Sequence, residues 1–228
     1  MRQTDDAYIL TDFQLQFLLL GIGCSSLYGL PQNKFNGDFK ELYYQIHDLA
    51  VRNILHTSDG AFEICEPLKS WLFTSADAPA VYHILASGPP PRAFCAYLSD
   101  SMAVIMERYL YQKCSVRLMG IEKRVFYDEI KQILESCGIK EPKEPLPKEL
   151  ISKELWSFKQ YLLGENQKKI YELFEKFSVE VADAMGEYRK RISVVHYYLE
   201  NYLVAETGRT VDLFSFEMEK FVELLEKR

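Results

Sequence analysis

The chain lacks the usual local signatures of chemistry. Its four histidines, His47, His56, His83 and His196, have no histidine or cysteine at ligand spacing, which excludes the sequence-local zinc motifs. No glycine-rich phosphate loop follows a strand. Gly21-Ile22-Gly23 opens like a dinucleotide fingerprint, but the third glycine is missing and a helical run precedes it, so it reads as a helix terminator. Ser25-Ser26 and Cys95 sit in no nucleophile signature. Glu217, Glu219, Glu223 and Glu226 fall on one helical stretch, where solvation and lysines one turn away are expected. No enzyme activity and no cofactor are therefore expected. Basic runs are also scarce. Arg189-Lys190-Arg191 stands alone, reads as a helix cap or a solvated run, and belongs to a chain of net charge -6, so nucleic acid is not an expected partner. The apolar run from Phe17 to Cys24 is too short to span a bilayer, and no membrane insertion is expected. Met1 to Asp6 lack the basic-then-apolar build of a signal peptide. Cys24, Cys65, Cys95, Cys114 and Cys137 are odd in number and nowhere closely paired. They are expected as buried free thiols in a reducing cytoplasm.

What is present is ordinary globular material, 48% hydrophobic and 26% charged over 228 residues, enough for one α+β domain. Residues 1–78 read as helix, helix, hairpin, helix, a winged-helix-like subdomain. Thr11 or Asp12 caps a first helix, and a second runs from about Asp38 to Ile54 with Phe39, Leu42, Ile46, Leu49 and Ile54 near one face. Ser58-Asp59-Gly60 turns a hairpin, and Pro67 opens a third helix bearing Leu68, Trp71 and Leu72. Residues 79–138 form a first strand–helix half. Its strands cover Val81 to Leu85, Arg92 to Leu98, Met102 to Tyr109 and Cys114 to Leu118, joined as an antiparallel meander, and its helix covers Ile121 to Cys137. Residues 139–190 hold a proline-rich linker and a helical insert, with helices over 150–162 and 166–185. Residues 191–228 form a second strand–helix half, with strands over 192–199, 202–206 and 210–214 and a closing helix over 215–227.

The two halves carry an internal repeat. Val116-Arg117-Leu118, Glu122, Phe126 and Ile130 correspond to Val211-Asp212-Leu213, Glu217, Phe221 and Leu225 at one offset (211 − 116 = 95). The pattern implies an antiparallel sheet with pseudo-two-fold character, each half supplying strands and a covering helix. Aromatic residues are in excess, with 15 Tyr, 14 Phe and 2 Trp. Tyr43-Tyr44, Tyr197-Tyr198 and Tyr202 are dense, which suits strand packing and protein interfaces alike. Leu155 to Leu162 is nearly apolar around the whole helical turn, so it must pack on something, either its own neighbour or a partner helix.

Ile9-Leu10-Thr11-Asp12-Phe13-Gln14-Leu15-Gln16-Phe17-Leu18 resembles the N-terminal part of the EspG family, the cytosolic chaperones of type VII secretion systems. Leu49 to Leu55, Asp59-Gly60-Ala61-Phe62 and Leu68-Lys69-Ser70-Trp71-Leu72 resemble the helix, hairpin and helix that follow there. The resemblance implies a bacterial export chaperone that holds the apolar tip of a small secreted helical-hairpin protein. It implies contacts through a sheet loop, here Tyr111, Gln112 and Lys113, and through a helical bundle, here Trp156, Phe158 and Tyr161. The alternative is a regulator binding DNA through residues 1–78. That reading needs basic residues on the recognition helix and wing, where the hairpin offers His56, Asp59 and Glu63.

Overall fold

A computed structural model describes residues 7–30, 38–58, 60–109, 115–141, 153, 156–157, 175–183, 186–197, 200–208 and 210–227. Among them, nine strands belong to a large antiparallel sheet, two form a separate hairpin, and five helices accompany them. This is the mixed α+β class. The chain divides into two compact units, one of Met1–Val81, Phe94–Lys123 and Asp183–Glu187, the other of Tyr82–Ala93, Arg124–Ala182 and Tyr188–Arg228.

The first unit opens with a strand that the composition does not announce, β1 (Tyr8–Thr11). Helix α1 (Asp12–Gly21) follows directly. Of the two expected caps, Thr11 is the one used: its side chain accepts from the Gln14 amide while Gln14 Oε1 accepts from the Thr11 amide, a reciprocal capping box. Gly23, at φ 83°, ends the turn beyond α1 as expected of a terminator. Next come α2 (Phe39–Val51), the hairpin strands β2 (Leu55–Ser58) and β3 (Ala61–Ile64), and α3 (Leu68–Ala76) with Pro67 at its N-cap. After β4 (Ala80–Ala86), whose later residues belong to the second unit, β5 (Arg92–Leu98), β6 (Met102–Tyr109) and β7 (Ser115–Glu122) run as the expected meander. β1 lies antiparallel on the outer side of β7, with Tyr8 opposite Leu118 and Thr11 opposite Ser115.

The core of this unit gathers Leu10, Leu15, Leu18, Leu49, Leu72, Tyr97 and Trp71. Tyr97 is fully buried and keeps its hydroxyl satisfied by donating to the Tyr28 carbonyl at 2.5 Å. The Trp71 ring lies over Gly120 so closely that a Cβ there would fall 2.2 Å from its Nε1. It meets the Tyr8 ring edge-on at 5.6 Å.

The second unit contains α4 (Lys123–Ser136), β8 (Glu175–Ala182), β9 (Tyr188–Tyr197), β10 (Glu200–Thr207), β11 (Thr210–Ser215) and α5 (Met218–Glu226). Its strand order is β4-β8-β9-β10-β11. β8 corrects the sequence reading, which placed a helix over 166–185. Phe177, Val179 and Val181 alternate at period two, and a ladder on β9 (Phe177 opposite Val194, Val179 opposite Ile192) outweighs the helical propensity of the surrounding Glu, Lys and Ala. α5 covers one face of this ladder, with Phe221 edge-on to Phe177 at 5.9 Å. Tyr82 donates to the Leu225 carbonyl at 3.1 Å and Tyr127 donates to Glu226 at 3.1 Å, tying α5 to β4 and α4. Lys190 reaches the carbonyls of Leu224 and Lys227, a cap on the C-terminal end of α5. β7 and β11 begin 95 residues apart (210 − 115), as do α4 and α5 (218 − 123).

Two further expectations change. Phe39, read near one face of α2 with Leu42, Ile46, Leu49 and Ile54, is 88% exposed. The contacts that hold α2 fall on its second half, so its first turn stands beyond them. Of the four described cysteines only Cys95 is buried, and Cys24, Cys65 and Cys137 are half-buried.

Candidate partner-binding surfaces

α2 is held on one side and bare on the other. Asp38 caps it by accepting from the Lys40 amide. Inward, Leu49 is buried with Leu42 and Ile46 beside it, a 3–4 spacing that makes one stripe. Polar ties to β1 and the start of α1 lock its rotation, with one ion pair inside the helix itself. Gln14 donates to Asp48 at 2.8 Å, Thr11 donates to Gln45 at 3.2 Å, Arg52 pairs with Asp48 at 3.3 Å, and the same guanidinium donates to the Ile9 carbonyl at 2.7 Å. Away from that stripe the helix carries Tyr43 (66% exposed), Tyr44, His47 and Val51, and Phe39, which shares the side of Ile46, is exposed on the first turn. His47 stacks on Tyr43 with 6.0 Å between ring centres and 5° between planes, and Tyr44 meets Tyr43 edge-on at 6.2 Å. Phe39, Tyr43 and His47 follow one another at four-residue steps, so they form a ridge along the helix. Phe62 on β3 is also exposed.

A second feature is a polar network on one face of β8 and β9. Arg191 donates to both oxygens of Glu175 at 2.8 and 2.9 Å and approaches Glu180 at 3.7 Å. Ser193 donates to Glu175 at 3.0 Å, and His83 Nδ1 lies 3.8 Å from Glu180. Burial alone would lower the Arg191 pKa, but Glu175, Glu180 and Glu206 outweigh it and hold the guanidinium above its ordinary value. Burial, then Glu206 and Glu180, raise the Tyr188 phenol. Ser178 is 1% exposed and faces this network beside Ser193; its Oγ and Arg191 Nε have no partner among the described residues. The charged groups here satisfy one another, so the network reads as a paired structural cluster. The sequence reading assigned Arg191 to a solvated or capping run. Its alternation with Ser193 and Val195 in a strand opposite Glu175 and Glu180 is the signal that finds the network.

Of the six residues implicated by resemblance, Trp156 is described. It occupies a helical position and is 65% exposed, next to Ser157, whose hydroxyl donates to the Lys153 carbonyl. Tyr111, Gln112, Lys113, Phe158 and Tyr161 lie outside the described residues. His47 and His56 are exposed, and His196 shares a 3.0 Å hydrogen bond with Asn201. Among the described residues no three His, Cys, Asp or Glu side chains converge as metal ligands, and no helix is long and apolar enough to cross a membrane. No family model matches the chain, and no curated protein matches it.

Proposed function

We propose that this chain is a non-enzymatic, cytoplasmic binding protein, an export chaperone of the EspG kind that holds a small helical-hairpin substrate. The observation that carries the reading is the exposed surface of α2, where Tyr43, Tyr44 and Val51 on the outer side and Phe39 on the first turn are all exposed, on a helix whose rotation is fixed by Gln14, Thr11 and Arg52. Large rigid aromatics bury much area at little entropic cost, which is the composition of interface hot spots. A ridge at four-residue steps offers the grooves into which a partner helix packs its own side chains. The exposed Trp156 supports a second contact, shared in this reading with Phe158, Tyr161 and the turn at Tyr111, Gln112 and Lys113. The winged-helix-like order of residues 1–78 and the 95-residue spacing of β7 and β11 and of α4 and α5 (210 − 115, 218 − 123) favour a duplicated sheet of the same family. Co-expression with the proteins encoded beside its gene tests the proposal. A stable complex in size exclusion supports it, and elution of this chain alone in every such pairing overturns it.

A further inference from the structure

The two strand–helix halves differ at one edge. β7 carries β1 on its outer side, paired along Ser115 to Leu118. The positions 95 residues on (210 − 115) are Thr210 to Leu213 of β11, and among the described residues no strand pairs with that outer side. Burial follows the difference. Val116 is fully buried, whereas Val211 is 43% exposed. The outer edge of β1 is itself managed, because the strand is four residues long and Arg52 donates to its Ile9 carbonyl. Among the described residues β11 has no such protection. It is six residues long, has no proline, and carries one charge, Asp212.

The direction of its backbone groups is fixed. Phe216 donates to the Asn201 carbonyl at 3.0 Å, in register with the ladder that pairs Thr210 with Thr207, so the even-numbered residues of β11 turn toward β10. Val211, Leu213 and Ser215 therefore turn their N–H and C=O groups outward. Phe214 has the Lys220 ammonium over its ring at 5.1 Å. Asp212 and Phe214 point to the same face, two residues apart.

We infer that β11 pairs antiparallel with β11 of a second copy of this chain, about a two-fold axis at Leu213. A two-fold centred on Asp212 would set two carboxylates side by side, which is unfavourable. Centring on Leu213 sets Asp212 of each copy opposite Phe214 of the other, on the face where Lys220 lies. Each acid then lies beside the other copy's Lys220, whose ammonium also donates to its own Glu223 at 2.9 Å, twice per dimer, and the outward groups of Val211 meet those of Ser215. The edge is thus self-complementary in hydrogen bonding and in charge, as an isologous contact requires. This association involves β11 and goes beyond the helical-partner reading, whose surface is α2.

Sedimentation equilibrium of the full chain, from about 1 to about 200 μM, tests the inference at concentrations where modest interfaces associate. The wild type is expected to shift from 26.6 kDa toward twice that mass. Val211→Pro removes an outward N–H and leaves the inward ladder to β10 intact, so it should stay folded and lose the dimer. Asp212→Lys alone and Lys220→Asp alone should each weaken association by roughly tenfold, and the double variant should recover it. A single 26.6 kDa species throughout, a dimer that survives Val211→Pro, or a double variant no better than either single one would overturn the inference.

Discussion

Individual side chains here are set by what surrounds them. Tyr82 shows how burial becomes a pH dependence. Desolvation pushes its phenol from 10.0 up to about 12, with the nearby Glu226 carboxylate adding to the rise and a hydrogen bond with Tyr127 opposing it. The fold therefore favours the neutral phenol. Its contribution is fully present below pH 10 and is lost as the pH climbs through 12, on the order of 3 kcal/mol at most. Urea melts across that window should show this loss. Tyr82→Phe should start about 1 kcal/mol less stable, through loss of the bond to the Leu225 carbonyl, and decline less steeply. Gly120 is set by volume. A Cβ at that position would overlap three atoms of the Trp71 ring within 2.8 Å, and the ring is the body of a buried side chain with little room to retreat. Gly120→Ala should cost about 1–3 kcal/mol by overpacking, read as a lower urea midpoint at unchanged slope.

At the scale of the element, the entry into α1 joins several roles in one residue. Thr11 ends β1, caps α1 through the Gln14 amide and donates to Gln45 on α2. Thr11→Ala should destabilise the protein by about 1 kcal/mol or slightly more, and Thr11→Ser should restore most of the loss. The cap was legible to within one residue, Thr11 or Asp12, because cap residues are a local signal; Gln14 three residues after Thr11 is what decides for Thr11. The strands from Arg92 to Tyr109 were legible for the same reason, since turns and period-two alternation are written in neighbouring residues. β1 was not. Four residues are too few to display a period, and their partner lies over a hundred positions away at Leu118. β8 was hidden by Glu, Lys and Ala, residues that favour helices in isolation, until the ladder on β9 overrode them. The aromatic face of α2 was half legible. Tyr43-Tyr44 stood out in composition, but the stripe that pointed Phe39 inward could not show that α1 covers only the far half of the helix.

Across the whole molecule, charge and apolar area point to different classes of partner. A net charge of -6 repels polyanions, while α2 exposes a ridge of large aromatic side chains. The proposed function requires that another protein's helix sit on that ridge. The most direct measurement is calorimetric titration of the helical-hairpin partner into the wild type and into the Phe39→Ser, Tyr43→Ser double variant. Both substitutions fall on exposed positions, so matching urea midpoints should confirm that the variant is folded. The account predicts a loss of affinity of about a hundredfold or more in the folded variant, the size expected when two aromatic anchors are removed. Equal affinity for the two proteins would contradict it.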